Sequence, residues 1–470
     1  MPADPMRGRW FDRPRLVDCA RTLASVIGAT ALAGCIVETG SPYYSEPQAA
    51  RNAHHDLLAR TWAPRFYQDV DDSYAVGDYI AKFNFDGDYN GKNNWENLSR
   101  FSTVPAHVYY AVSETETHYF IHYAVFHPRD WHEWIAAERH ENDLEGVSLA
   151  IRKTGGAGTL VAMETMAHDQ FYQYRAHPDV SHGTETIDGE VSVHDGTHPR
   201  VFIEAKGHGM FGCDARCDRA PGGNGIVYAY EGHAQSPQAG AGDFDEVYSY
   251  ALIAFDADGR LGEDQGFWHR RHDICDTCSF GSWGKLRGDN YGSDRAKLAW
   301  AWDDPDDGTV SAGAMLCDPA QFFSAHLGGR AFDGRFSQRY LAHEYQTHLF
   351  ELLAVQSSRG YDLWEGYADI YVQIVAPDSP AGPSELVGRS SWRMDEALTG
   401  VWYDVERARA APFGPRHFCR PGHSPTTFAV YDLDSTTDDL LGSATLTDTV
   451  DHMDGVTLGE AEIRFSYDMR

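Results

Sequence analysis

The chain has 470 residues, a formal net charge of −31 and 42% hydrophobic residues. This length predicts two or three domains with ample core. The acidic balance argues against binding to nucleic acid, which depends on basic surfaces. It also argues against direct attraction to anionic lipid, unless bound divalent cations reverse the local field.

The N-terminal segment has the pattern of an export signal. Several arginines precede an apolar run over 23–33 that is too short to form a stable membrane-spanning helix. Leu32-Ala-Gly-Cys35 resembles a bacterial lipobox, in which the cysteine is diacylated and becomes the mature N-terminus. The resemblance implies a signal peptide over 1–35, lipidation of Cys35 and an anchor in the cell envelope, and Ile36 favours the outer membrane. The alternative is an ordinary cleaved signal. Residues 36–60 are interpreted as a polar tether.

Six cysteines remain after Cys19 and Cys35 are set aside, at 213, 217, 275, 278, 317 and 419. In an exported chain an even number indicates up to three disulfides. The alternative is a four-cysteine zinc site made of the Cys213/Cys217 and Cys275/Cys278 pairs. Their spacing does not decide the disulfide partners.

A short acidic loop begins at Asp86. Asp86, Asp88 and Asn90 place oxygens at alternate positions before a glycine, as the start of a calcium loop does. However, position twelve is Asn97 rather than glutamate, and the Phe-x-Phe before the loop predicts a strand rather than a helix. These three residues are therefore additional candidate ligands, and an Asx-rich turn is the equal alternative.

From Ala106 onward the sequence alternates as β-strands do. Runs at 107–112 and 118–126 are joined by a short polar turn, and runs at 146–151 and 159–164 by a glycine-rich one, so both pairs predict hairpins. The sequence predicts an all-β protein of two antiparallel β-sandwich domains, over 61–335 and 343–470.

Side chains typical of metal sites gather at the ends of two of these strands. Asp130 ends one strand, and His140, Asp143 and Glu145 lead into the next. Asp143 and Glu145 point to the same face of an extended segment, whereas His140 joins them only if the chain bends. Carboxylates with one imidazole suit Mg²⁺, Ca²⁺ or Mn²⁺ and could also hold Zn²⁺. The alternative is a set of surface polar groups at a strand end.

This stretch resembles the heptapeptide region of necrosis- and ethylene-inducing peptide-like proteins, where an aromatic-Pro-Lys-Asp turn precedes Gly-His-Arg-His-Asp-Trp-Glu. Asp130 matches the turn aspartate, and the cation-binding residues match His140, Asp143 and Glu145. Asn142 replaces the second histidine of that pattern. The resemblance implies a cation site with Mg²⁺ or Ca²⁺ as the cofactor.

Further motifs are scattered over residues 62–320. A His-Pro strand that closes on Gly207-His208, an Asp-Gly-Asp segment ending at Asp88 and a Trp-Ala-Trp segment ending at Trp302 are similar to the vacuolar-protein-sorting-62-like family. This likeness implies that His208 lies near the acidic site as an additional candidate ligand or proton carrier. A structural hydrogen-bonding role is the alternative.

The C-terminal part carries aspartates in two predicted loops that join strands. Its pattern resembles a C2-type calcium- and lipid-binding domain. The resemblance implies that Ca²⁺ is held by Asp362, Asp369, Asp432, Asp434 and Asp439. Carboxylates that converge from two loops repel one another unless a cation lies between them. The alternative is a plain β-sandwich with acidic loops.

Three functions are compatible with these patterns. We expect an exported lipoprotein that binds lipid head groups or glycans through divalent cations, acts on membranes and has no turnover. The second is a metal-dependent hydrolase of phospholipid or another phosphoester, in which His208 or His168 carries protons. The sequence has no Gly-x-Ser-x-Gly or phosphate-binding loop motif. The third is a surface protein that calcium only stabilises.

Overall fold

The computed structural model describes residues 46–131, 139–168, 170–238, 242–255, 257, 264–267, 270–274, 285–290, 296–302 and 313–343, and the strands of residues 348–469. Cys35 and the rest of the predicted signal lie outside the described residues. In the part of the chain that the structure describes, no helix has the length and apolar character needed to cross a membrane.

Short helices accompany the strands. They are α1 (Glu46–Thr61), α2 (Asn94–Leu98), α3 (Arg271–Ile274), α4 (Ala314–Cys317) and α5 (Pro319–His326), with 3-10 turns at Ala75–Asp78, Ala215–Cys217 and Ala299–Ala301.

The strands up to residue 343 are β1 (Arg65–Asp69), β2 (His107–Thr115), β3 (His118–Asp130), β4 (His140–Arg152), β5 (Thr159–Ala167), β6 (Gln170–Arg175), β7 (Ser181–His182), β8 (Ile187–Glu190), β9 (Val193–His194), β10 (His198–Ile203), β11 (Met210–Gly212), β12 (Gly225–Tyr230), β13 (Asp243–Ala254), β14 (Leu327–Gly328) and β15 (Tyr340–His343). Thirteen of them form one sheet in the order β11-β10-β1-β12-β13-β2-β3-β4-β5-β6-β8, with β15 on β2 and β9 on β10. The remaining two, β7 and β14, pair with each other.

The all-β prediction is confirmed, but the prediction of a purely antiparallel first domain is wrong. Strand β1 runs parallel to β10, β13 runs parallel to both β12 and β2, and β8 runs parallel to β6. Parallel neighbours come from long crossover connections, which alternation along the chain does not reveal. The two predicted hairpins are present as β2–β3 and β4–β5.

Strands β3 and β4 form the centre of the core and are buried along almost their whole length. Helix α5 covers one side, where Phe323 lies 5.8 Å from Phe120 and Phe322 lies 4.9 Å from Phe171. In the same interface the carboxylate of Glu164 accepts a 2.6 Å hydrogen bond from His326, and both side chains are fully buried. The centre of the sheet is therefore shielded from water even where it carries charge.

The sheet curls so that its edge strand β11 packs against β5 and β6. Phe211 and Tyr172 approach with ring centroids 4.9 Å apart. A Cβ atom on Gly212 would lie 2.5 Å from the Tyr174 ring, so this close approach requires glycine.

Two of the six remaining cysteines are joined in the described part of the chain, Cys213 and Cys217, whose Cα atoms are 5.5 Å apart. Cys317 is disulfide-bonded as well. The zinc alternative fails for the first pair, because a thiolate that is consumed in a disulfide cannot bind metal. Cys275, Cys278 and Cys419 lie outside the described residues.

Eight strands follow residue 343, namely β16 (His348–Ser357), β17 (Tyr367–Val375), β18 (Leu386–Leu398), β19 (Tyr403–Asp404), β20 (Thr426–Asp432), β21 (Asp439–Leu446), β22 (His452–Leu458) and β23 (Ala461–Met469). They form two four-stranded sheets, β19-β16-β23-β22 and β18-β17-β20-β21. Every strand pair within these sheets is antiparallel.

Glu114 on β2 ties helix α1 to the sheet. It accepts hydrogen bonds from His55 at 3.1 Å and from Lys153 at 2.5 Å. Burial would raise the pKa of Glu114, but these two partners outweigh it and lower the pKa to about 2.

We expect Glu114→Gln to lower the free energy of unfolding at pH 7 by about 1–3 kcal/mol, because a carboxyl whose folded pKa is depressed stabilises the fold above its unfolded pKa. The difference from wild type should shrink as the pH falls from about 4.5 towards 2. Urea titrations at several pH values measure it, with Glu116→Gln as the exposed control. An equal loss of stability at every pH would contradict the assignment.

Candidate cation site

The β3–β4 pairing assembles the site. The ladder places Asp130 opposite His140, His127 opposite Asp143 and Val125 opposite Glu145. Asp130, His140, Asp143 and Glu145 are all at least nine-tenths buried. The residues predicted from sequence therefore lie along one end of a two-stranded ribbon, away from bulk water.

Asn142 supplies the bend that His140 requires. Its φ is +63°, a left-handed conformation that asparagine tolerates better than most residues. The register places it opposite Pro128, which has no backbone N–H to contribute to the ladder. Its buried amide nitrogen donates to the carbonyls of Gly91 at 2.7 Å and Arg287 at 2.5 Å, which fixes the bend.

Asp130 and His140 form the first pair. The His140 Nε2 lies 3.5 Å from Asp130 Oδ2. The His140 Nδ1 lies 3.1 Å from the Asn142 carbonyl oxygen and must donate to it, so in the neutral ring Nε2 carries the lone pair. This pair can therefore offer one nitrogen and one oxygen ligand to the same ion.

Asp143 is held by His208 rather than left open. His208 Nδ1 lies 2.9 Å from Asp143 Oδ2, and its Nε2 lies 3.3 Å from Asp78 Oδ1. Because both partners are carboxylates, both ring nitrogens must donate, and the ring is an imidazolium. Burial opposes this charge, yet the two carboxylates raise the pKa of His208 to about 10. Burial would likewise raise the pKa of Asp143, but His208 and the nearby imidazoles lower it.

His127 stacks on His208 with ring centroids 3.7 Å apart and planes 3° from parallel. Burial and the charge of His208 hold the pKa of His127 well below its usual range. The amide nitrogen of Gln68 donates to two backbone carbonyls, so its oxygen, 3.2 Å from His127 Nε2, must accept from that ring. His127 is thus neutral, and its buried Nδ1 has no hydrogen-bond partner.

Among the described residues, the one set of three whose candidate ligand atoms lie within 4.8 Å of one another is His127, Asp143 and His208. The four ligands predicted from sequence form no set this tight. His208 donates from both ring nitrogens and so has no lone pair for an ion, and the rings of His127 and His208 are stacked in parallel planes. They cannot both converge on an ion at a metal–nitrogen distance of about 2.0–2.1 Å. We therefore assign His208 to the support of Asp143 rather than to direct coordination.

Glu145 lies at the exposed side of the cluster. Its Oε1 accepts the backbone N–H of His168 at 3.3 Å, and the His168 ring donates to Glu204. That bond, opposed by burial, raises the pKa of His168 above its ordinary value. The His168 side chain is 53% exposed, so the His168–Glu204 pair connects Glu145 to solvent.

Backbone strain concentrates around these residues. Six non-glycine residues have positive φ in the described part of the chain, and four of them belong to this region: Asn142, His168, Lys206 and His208. Such conformations cost about 1–3 kcal/mol each and persist where the surroundings enforce them. The surrounding contacts therefore hold these four residues in unfavourable backbone conformations, which fixes the direction of their side chains.

The acidic loop at Asp86 has a different geometry. The backbone N–H groups of Asp88, Asn90 and Lys92 donate in turn to the side chains of Asp86, Asp88 and Asn90, at 3.2, 2.8 and 3.3 Å. These are consecutive Asx turns, which favours the turn alternative. Calcium binding by these three residues stays a prediction.

In the C-terminal module the strand register gathers part of the predicted calcium site. Asp432 pairs with Asp439 across β20 and β21, and with Ile370, the neighbour of Asp369, across β17. Asp362 and Asp434 lie outside the described residues. Calcium binding by this set stays a prediction.

Sequence reasoning missed Asp78, His127, Gln68 and Glu204, which come from three regions distant in the chain. The one usable signal was a single acidic residue, Asp78, next to the apolar stretch that begins at Tyr79. Buried charge of this kind is rare unless it is paired.

No family model and no curated protein matches the chain. Among solved structures, a C2 domain is 20% identical and covers 26% of this chain and 95% of its own, with a TM-score of 0.18. NLPPya in complex with glucosamine is 15% identical, covers 47% and 78%, and has a TM-score of 0.25. A structure described as a toxin fold for microbial attack and plant defense is 16% identical, covers 49% and 82%, and also has a TM-score of 0.25. At these TM-scores the likeness assigns no function, so function is argued from the site.

We expect Asp143→Asn and Glu145→Gln each to weaken divalent-cation binding at least about tenfold, because each removes a charge from the site while preserving shape. Isothermal titration with Mg²⁺, Ca²⁺ and Mn²⁺ measures this in a chain that also carries Asp439→Asn, which removes the contribution predicted for the C-terminal module. Asp195→Asn is the control, because Asp195 is an exposed aspartate outside every candidate set. Unchanged affinity in both site variants would refute the site.

Proposed function

We propose that the protein is an exported, lipid-anchored protein of the bacterial cell envelope that binds lipid head groups or glycans through divalent cations. The first module holds Mg²⁺ or Ca²⁺ beside Asp130, His140, Asp143 and Glu145. The C-terminal module adds calcium-dependent contact with a lipid surface.

One observation carries the proposal, namely the gathering of four buried ligand-type side chains at one end of the β3–β4 ribbon. The His140 Nε2 and Asp130 Oδ2 atoms lie 3.5 Å apart. Buried carboxylates are unfavourable unless a positive charge compensates them. His208 compensates Asp143 and Asp78, and the proposed cation would add positive charge beside Asp130 and Glu145.

The overall charge explains why such a cation would serve recognition. A chain with a net charge of −31 repels phosphate and carboxylate groups. A divalent ion held at the surface inverts the local field and offers free coordination positions to ligand oxygens. Phosphate oxygens of a lipid head group and sugar hydroxyls are both suitable ligands for a hard cation.

The His168–Glu204 pair favours a second candidate, a metal-dependent hydrolase. The pair reaches solvent and is bonded through the His168 backbone to Glu145. An imidazole in this place could carry a proton to or from a water activated by the ion. Its substrate would be a phospholipid or another phosphoester.

We expect the mature chain to sediment with phospholipid vesicles, or to be retained on glycan surfaces, in millimolar Ca²⁺ or Mg²⁺ and to be released by EDTA. Asp143→Asn should weaken retention at least tenfold, in line with its loss of cation, and Asp195→Asn should not. Release of a dye from the vesicles reports action on the membrane.

Binding that persists in EDTA would disprove the cation-bridge mechanism. Phosphate or head-group release from the same vesicles, lost in Asp143→Asn and in His168→Ala, would favour the hydrolase instead. Cation binding without retention on vesicles or glycan surfaces would favour the third function, in which calcium only stabilises the protein.

A further inference from the structure

Asp78 is a fully buried carboxylate at the end of the 3-10 turn Ala75–Asp78. Its Oδ1 accepts hydrogen bonds from Trp131 Nε1 at 3.0 Å, from the Lys206 backbone at 2.8 Å and from His208 Nε2 at 3.3 Å. Its Oδ2 accepts the Asp71 backbone N–H at 2.7 Å. One side chain thus connects three segments that are distant in sequence.

These segments surround the predicted ligands. Trp131 directly follows Asp130 at the end of β3, and its backbone N–H donates to the Lys206 carbonyl at 3.2 Å. Lys206 and His208 have φ values of +73° and +56°, so their turn is strained and needs external bonds to persist. Asp78 provides a bond to each of these two residues.

The chain of contacts reaches Asp143 through His208. His208 Nδ1 fixes Asp143 Oδ2 at 2.9 Å, and the Leu144 backbone N–H fixes Oδ1 at 2.9 Å. Each carboxylate oxygen has two lone pairs, so one on each oxygen stays available to a cation. Partners of this kind, which orient a ligand without touching the ion, typically contribute 10- to 100-fold to metal affinity.

We infer that Asp78 is a positioning residue of the cation site, which holds His208 against Asp143 and so sets the direction in which Asp143 presents its oxygens. This inference rests on the cation site of the proposed function. It adds a residue that neither the sequence patterns nor the predicted ligand set contains.

Asp78→Asn tests the inference with nearly unchanged volume. The amide carries no negative charge opposite His208. Its NH₂ group must also face hydrogen-bond donors, either the Asp71 backbone N–H or the three donors that bond to Oδ1 in the wild type. We expect Mn²⁺ affinity to fall about 10- to 100-fold, although Asp130, His140, Asp143 and Glu145 are all intact.

The experiment is a Mn²⁺ titration of the full mature chain followed by electron paramagnetic resonance, in the Asp439→Asn background. Glu164→Gln is the matched control, because Glu164 is also a fully buried carboxylate bonded to a histidine but lies under helix α5. Thermal unfolding of each metal-free variant is recorded beside the affinity. Glu164→Gln should lose stability and keep wild-type affinity, whereas Asp78→Asn should lose affinity beyond any loss of stability.

Each outcome decides one point. If wild type binds no Mn²⁺, Mg²⁺ or Ca²⁺, the proposed cation site fails and the inference with it. If wild type binds and Asp78→Asn binds equally well, the inference alone is overturned. It is also overturned if Glu164→Gln loses affinity in the same proportion to its stability. If Asp78→Asn does not fold, His208→Asn interrupts the same series of contacts between Asp78 and Asp143. Asparagine tolerates the positive φ of this position. Unchanged Mn²⁺ affinity in His208→Asn then overturns the inference.

Discussion

The structure depends on a single long pairing, the antiparallel ladder of β3 and β4 from His118/Arg152 to Asp130/His140. This ribbon is buried on both faces, so polar residues at its far end are drawn into the interior with it. Carboxylates in such a place must find positive charge or hydrogen-bond donors, because their desolvation is otherwise too costly. The chemistry of the site follows from that requirement.

The protein meets this requirement in two ways that divide the site. On the inner side, Asp78 and Asp143 share the His208 imidazolium, and neutral His127 stacks against it. On the outer side, Asp130 faces His140, and Glu145 lies beside the exposed His168–Glu204 pair. The inner half is a finished hydrogen-bond network that gives rigidity. The outer half is where the proposed function places the cation.

Left-handed residues explain how a regular ribbon can build such a site. A strict strand would direct His140 and Asp143 to opposite faces, because side chains alternate. Asn142 adopts a left-handed conformation within this ladder and is held in place by carbonyls from two other segments. Where the heptapeptide pattern that this stretch resembles has a second histidine, this chain has a buried structural amide.

The sequence alone determined the all-β class, the two hairpins and the end of the ribbon where ligand-type residues gather, because alternation and short turns are local properties of the chain. It also located Asp143 and Glu145 on one face from their spacing of two. Only the tertiary structure decided that the first sheet is mixed, that Asn142 makes the bend and that Cys213 joins Cys217. It alone brought Asp78, His127 and Glu204 to Asp143 and Glu145. Some of those contacts join residues more than one hundred positions apart. Such long-range contacts are set by how the sheet curls and not by any local pattern.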